Sequence, residues 1–112
     1  MSIKKTFELA LKNHQENNIE VAQNLYNQVL EIDPKNINVH NNLGTIFNKL
    51  RDFQKARLCY EKVIEIDPNI AMPHYNLGII FTQTEEYLKA KKCYEKAIEI
   101  DPNYTNAHNN LG

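Results

Sequence analysis

Ile32-Asp33-Pro34, Ile66-Asp67-Pro68 and Ile100-Asp101-Pro102 are three copies of one tripeptide, spaced 34 residues apart. Other residues keep the same step: Ala22, Ala56 and Ala90; Tyr26, Tyr60 and Tyr94; His40, His74 and His108. Asn42-Leu43-Gly44 returns as Asn76-Leu77-Gly78 and as Asn110-Leu111-Gly112. Laying residues 37–70 over 71–104 gives 18 identities in 34 positions. Residues 3–36 match more loosely but keep Leu9, Ala22, Tyr26 and the closing Ile-Asp-Pro. Residues 105–112 open a fourth copy that stops in mid-unit at Gly112, which points to a piece of a longer chain. A period of this length means one supersecondary unit stacked on copies of itself. Such a stack offers an elongated surface, better suited to binding than to catalysis.

Each unit reads as two helices. His40, Leu43, Gly44 and Phe47 fall at i, i+3, i+4 and i+7, one face of a helix. Phe53, Ala56, Tyr60, Val63 and Ile64 make a second stripe, and Leu50-Arg51-Asp52 leaves room for a turn between them. Pro68 and Pro102 close the second helix of their units, because proline has no N–H to donate and clashes with the preceding turn. Pro73 falls near a helix start, where the missing donor costs nothing. The pattern predicts helices over 3–14, 19–32, 37–49, 53–66, 71–83, 87–100 and 105–112.

These residues resemble the tetratricopeptide repeat along essentially the whole chain. Its pattern calls for a bulky residue, Leu-Gly, an aromatic, a small Ala, an aromatic, a small or aliphatic residue and a closing Pro. His40, Leu43-Gly44, Phe47, Ala56, Tyr60, Val63 and Pro68 match it in the second unit. The third unit supplies His74, Leu77-Gly78, Phe81, Ala90, Tyr94, Ala97 and Pro102. The first unit departs from it at Thr6, Ala10 and Asn13, as terminal repeats often do. The resemblance implies an all-α, right-handed superhelical solenoid of antiparallel hairpins, one domain over 1–112. Its repeats run over about 3–36, 37–70 and 71–104, followed by one extra helix. Gly44 facing Ala56, and Gly78 facing Ala90, are expected to bring paired helices close, with Tyr60 and Tyr94 filling the gap to the next hairpin. The histidines are expected in the core.

Composition removes several function classes. Fourteen acidic against 13 basic residues give no field to attract nucleic acid or an anionic membrane. There is no long apolar run for a membrane span, and Glu8, Lys12 and Asn13 break up any signal-peptide core behind Lys4-Lys5. Two distant cysteines, Cys59 and Cys93, indicate free thiols in a reducing, cytoplasmic compartment. Histidines one repeat apart stand about 8–10 Å from each other, too far to share an ion with bonds of about 2 Å, so no metal or other cofactor is expected. No nucleophile constellation, phosphate loop or paired acid and base appears, so no catalytic residue is assigned. The acids and lysines of 61–65 and 95–99 belong to a solvated outer face.

The first helix of each hairpin lines the concave face of such a superhelix. Opposite its core stripe the second unit carries Asn38, Asn41, Asn42, Thr45, Asn48 and Lys49; the third carries Met72, Tyr75, Asn76, Ile79, Thr82 and Gln83. Asn42, Asn76 and Asn110 thus form a ladder, interrupted by Glu8 in the first unit. An asparagine amide both donates and accepts, so it can pair with a peptide backbone. Rungs about 10 Å apart meet an extended chain at about every third residue. This pattern resembles the inner face of the repeat domain of O-linked N-acetylglucosamine transferase. The expected peptide-binding residues are Asn38, Asn41, Asn42, Thr45, Lys49, Tyr75, Asn76 and Asn110. The co-chaperone mode of this family grips a C-terminal carboxylate with Lys and Arg, but Phe7, Leu11, Met72 and Asn76 stand at those positions and only Asn42 matches. The chain is therefore expected to bind a protein or peptide. The alternatives are the N-terminal arm of a longer glycosyltransferase or sulfotransferase, and a self-association module joined end to end through its last helix.

Overall fold

A computed structural model describes residues 2–111, with the backbone alone for Thr105 and Leu111. It contains seven helices: α1 (Ile3–Gln15), α2 (Ile19–Ile32), α3 (Ile37–Lys49), α4 (Phe53–Ile66), α5 (Ala71–Gln83), α6 (Tyr87–Ile100) and α7 (Thr105–Leu111). α1 and α2, α3 and α4, and α5 and α6 pair as hairpins, and α7 packs on α6. The stack measures 45 × 25 × 20 Å.

Local chemistry sets the helix boundaries. The side chains of Ser2, Asn36 and Asp52 accept from the amides of Lys5, Val39 and Lys55, satisfying N–H groups that have no intrahelical partner. The Asp of Ile-Asp-Pro has a comparable task beyond the helix end: Asp67 and Asp101 each accept from the backbone N–H two residues on, at 3.1 Å. Between the helices of each hairpin the chain turns through a left-handed residue, Asn17 (φ 65°), Arg51 (φ 62°) and Glu85 (φ 62°). The following N–H then reaches back to the carbonyl of Asn13, Phe47 or Phe81, at 2.8, 2.8 and 2.7 Å. This wraps up the last carbonyls of the first helix. None of the three is a glycine; Asn17 is of a type that enters this conformation readily, whereas Arg51 and Glu85 give no sign of it in the sequence.

The core is broader than one stripe per helix. In α3 the buried residues are Val39, Asn41, Leu43, Gly44 and Ile46, because α3 packs against both α4 and the preceding hairpin. Val39, Leu43 and Ile46 join Ala10, Ala22, Tyr26 and Val29 in one apolar cluster. A second cluster runs from Ala56 and Tyr60 through Leu77, Ile80 and Phe81 to Tyr94, Ala97 and Ala107. Half-buried Phe47 touches both clusters and makes the core continuous.

One expectation about packing is sharpened and one is corrected. The atoms nearest the glycines belong to tyrosine rings: a Cβ on Gly44 would stand 2.8 Å from the Tyr60 ring, and one on Gly78 2.5 Å from Tyr94. The histidines are not core residues. His40 and His74 are half-buried and His108 is exposed. Their Nε2–H groups donate to the carbonyls of Pro34, Pro68 and Pro102 at 2.9, 3.2 and 2.8 Å. Each ties a first helix to the turn before it. Leu111, expected in the core of α7, has no described side chain, and Gly112 lies outside the described residues.

Candidate concave-face binding site

Asn38, Asn41, Asn42, Thr45 and Lys49 lie on α3, Tyr75 and Asn76 on α5, and Asn110 on α7. Their surroundings differ sharply. Asn38 is exposed and carries no side-chain hydrogen bond among the described residues. Asn41 is buried, only 6% accessible, and its Oδ1 has no partner among the described residues, so it is not open to a groove. Thr45 donates to the Asn41 carbonyl at 3.1 Å and also meets the Tyr60 hydroxyl at 3.2 Å. Lys49 reaches across to the first hairpin, donating to Asn17 Oδ1 at 3.1 Å.

The ladder rungs have partners that sequence inspection did not supply. Half-buried Asn42 stands near enough to the Tyr26 hydroxyl to act against the rise in its pKa. Asn110 Nδ2 donates to the hydroxyls of Tyr94 and Tyr75, both at 3.4 Å. In both cases the asparagine follows its tyrosine by 16 residues, so both rungs stand beside a tyrosine of the preceding unit. Asn76 departs from this: the Tyr60 hydroxyl meets Thr45, and no hydrogen bond joins it to Asn76. The half-buried Asn76 amide has no partner among the described residues. The recurring tyrosines do more than pack: the hydroxyls of Tyr60 and Tyr94 meet Thr45, Thr82 and Asn110.

At one end of that face, His14 Nδ1 and Tyr26 Oη are in hydrogen-bond contact at 3.1 Å. Partial burial, and then the charge of Lys49, lower the pKa of His14. Burial raises that of Tyr26, against the opposing effect of Asn42. At the other end the groove is aromatic. The Tyr75 ring lies 5.8 Å from Tyr94 and 5.2 Å, edge-on, from Tyr104. A shallow pocket of about 240 Å³ opens beside them, lined by Ile79, Thr82, Gln83, Tyr94 and Asn110. A neighbouring one of about 210 Å³ shares Thr82, Tyr94 and Asn110. Thr82 Oγ1 meets the Tyr94 hydroxyl at 3.2 Å, so the floor of both is already hydrogen-bonded. His14 and Tyr104 were missed as site residues; His14 lies in the unit that fits the repeat pattern least.

Other chemistry is sparse. Cys59 and Cys93 are free, and burial pushes both thiols up to about 11. Among the described residues no three His, Cys, Asp or Glu side chains group as metal ligands would. No described helix is long and apolar enough to cross a membrane.

Comparison with known proteins agrees with this architecture. The tetratricopeptide repeat profile matches residues 37–70 and 71–104, and a second TPR repeat profile matches 12–51. No curated protein sequence matches significantly. Among solved structures, the first TPR of Spaghetti (RPAP3), bound to the HSP90 peptide SRMEEVD, superposes with a TM-score of 0.90 at 21% identity, over 97% of this chain and 86% of that one. A mutant of the Thermobaculum terrenum O-GlcNAc transferase gives 0.86 at 24% identity, over 97% of this chain but only 21% of the transferase. MamA gives 0.90 at 20% identity, over 98% and 64%. At these identities the likeness is one of fold. With its helices paired, its 34-residue period and the profile matches in agreement, the chain belongs to the tetratricopeptide repeat family.

Proposed function

We propose that this chain is a non-catalytic interaction module whose concave face holds an extended segment of a protein partner. Asn42, Asn76 and Asn110 pair with its backbone in this reading. The observation that carries it is Asn76, a half-buried amide in the groove with no partner among the described residues. A polar group so placed gains by meeting the N–H or C=O of a ligand. The fold of Spaghetti, which holds a peptide, supports the same use of the surface. Asn110 is held by tyrosine hydroxyls and so is positioned in advance, which lowers the ordering cost of binding. Two free thiols accord with a reducing, cytoplasmic setting.

The test is peptide-library selection on the wild-type chain, followed by calorimetry. With each hydrogen bond worth about 0.5–1.5 kcal/mol, Asn42→Ala/Asn76→Ala is expected to weaken a selected peptide roughly tenfold. Unchanged affinity would reduce the ladder to a structural feature.

Self-association is a second reading, favoured by one observation. Tyr87 and Leu88 at the start of α6 are 62% and 79% exposed, whereas Phe53, the counterpart of Tyr87, is half-buried against the next hairpin. Sedimentation of the chain at hundreds of micromolar tests it, and a monomer there removes it. The arm of a larger enzyme, as in the transferase that shares this fold, fits the same peptide-holding role.

A further inference from the structure

Two residues of the third unit, Thr84 and Leu88, depart from the repeat beside the turn that joins α5 to α6. Leu88 stands where the second unit has Gln54 and the first has Glu20. It is 79% exposed, the most exposed large apolar residue among the described ones. Gln54 and Glu20 are exposed as well, although a further hairpin follows each of them. The position therefore points away from the stack, and only the third unit puts an apolar side chain there. Thr84 stands where the second unit has the longer Leu50. Beside it a hole of about 140 Å³ opens at the joint between the second and third hairpins. Phe53, Ile80 and Phe81 give it an apolar floor; Arg57, Thr84 and Glu86 stand around it. Glu86 is already engaged, since Thr84 Oγ1 donates to it at 2.8 Å and Lys89 Nζ at 3.1 Å. Arg57 makes no hydrogen bond among the described residues, and its ion-pair partner Glu61 stands 4.0 Å from its Nε. Glu85, close to Leu88 in the chain, joins no ion pair among the described residues.

Resting on the self-association reading above, we infer that a second copy of this chain covers this edge, with Leu88 of each copy seated in the hole of the other. The hole is close in size to a cavity of about 150 Å³ that holds a benzene ring, so the isobutyl group of leucine fits it. Gln54, on its wall, is the repeat counterpart of Leu88, which sets knob and hole one repeat, about 8–10 Å, apart on one edge. A patch that carries both is self-complementary: a two-fold axis between them seats both knobs at once and closes the assembly at two copies. Charge favours the same arrangement, because Glu85 arrives beside the knob at a rim where Arg57 has donors to spare. Leu88 enters rather than Tyr87, since neighbouring helix residues point about 100° apart and the Tyr87 counterpart, Phe53, turns along the stack into the core. The first end of the stack offers no such cover for another copy. Exposed Lys5 and Lys12 stand there at the positions where later units bury Val39 and Pro73, and Ile46 and Ile80. Asn42, Asn76 and Asn110 take no part in the contact, so the concave face stays open to a peptide.

Sedimentation velocity of the 112-residue chain, from a few to hundreds of micromolar, is the test. Wild type is expected to pass from monomer to dimer and to stop there. Leu88→Gln gives the knob position the residue of the second unit, and Thr84→Leu gives the hole the residue found at Leu50. Each is expected to weaken the dimer about tenfold or more by removing one apolar burial per copy. Both sites are exposed, and circular dichroism checks that the helices persist. Arg57→Glu alone should weaken the dimer severalfold, and adding Glu85→Arg to it should restore most of the loss, which a merely structural role for Arg57 would not produce. Dimerisation unchanged in both Leu88→Gln and Thr84→Leu overturns the inference and moves self-association to another face. Species that keep growing with concentration overturn the two-fold closure. A wild-type monomer throughout removes the inference and the self-association reading together, leaving the peptide-binding reading untouched.

Discussion

At the scale of single residues, closeness of approach decides most of what the repeated positions do. Gly44 and Gly78 are kept small by tyrosine rings, and the tighter of the two is Gly78, with 2.5 Å against 2.8 Å to the nearest ring atom. Alanine there gains about 1 kcal/mol of helix propensity and loses about 1–3 kcal/mol by overpacking a ring that Thr82 and Asn110 hold through its hydroxyl. We expect Gly78→Ala to lower the urea midpoint, and Gly44→Ala to lower it less. The thiols give a second residue-level expectation. Burial raises Cys59 and Cys93 from 9.0 to about 11. The unfolded chain then loses these protons first as pH rises, so their contribution to stability is intact below about 9 and declines between about 9 and about 11. Cys59→Ala/Cys93→Ala should show a shallower decline over that window in urea titrations. The tyrosines were legible in the sequence as recurring large residues, but not as the rings that stand closest to the glycines. Spacing shows which residues recur, not which atoms meet across a hairpin. The histidines were misplaced for the same reason. A ring at a recurring bulky position resembles a core residue until its nitrogen is seen to bond a proline carbonyl.

At the scale of elements, the helices were readable almost to the residue. The Ile-Asp-Pro triplets end three of them, and α1 differs only by reaching Gln15. The turns within hairpins were not readable, because Arg51 and Glu85 adopt a left-handed backbone with no glycine to announce it. That conformation costs about 1–2 kcal/mol for a residue with a Cβ. Glycine removes the cost but also gives the unfolded chain more freedom to lose. Glu85→Gly is therefore expected to stabilise by about 0.5–1 kcal/mol, seen as a higher urea midpoint with an unchanged slope. Arg51→Gly should gain less, because the Arg51 guanidinium lies 5.1 Å from the centre of the Phe53 ring and that contact would go. α5 shows another limit of pattern reading. Its buried residues include Ala71, Pro73, Leu77, Ile80 and Phe81, and its groove side holds Met72, Tyr75 and Ile79, so apolar residues surround it. Amphipathic periodicity cannot separate a core face from a binding face in such a helix.

For the molecule as a whole, the period alone gave the stack and its two kinds of surface, while the hydrogen bonds that cross the groove emerged only from side chains of different units meeting. Stability should follow the same unevenness. In a linear array each unit is held by its neighbours, so the weakest interface sets where unfolding begins. α2 meets α3 over fewer residues than α4 meets α5, and Phe47 is the chief apolar link between the two core clusters. The first hairpin also has Ala10 where the later units have Gly44 and Gly78, and Thr6 where they have a histidine bonded to the preceding turn. We therefore expect α1 and α2 to open as a unit ahead of α3–α6, with α7 opening earlier still, because a helix of 7 residues cannot persist without packing. Native-state hydrogen exchange should show amides of α1 and α2 sharing one opening free energy, below that of α4 and α6. Phe47→Leu should widen the gap by loosening the joint between clusters, lowering protection in α1 and α2 more than in α6. Protection in α1 and α2 equal to that in α4, in a chain shown to be monomeric, would mean that the stack unfolds as one cooperative body.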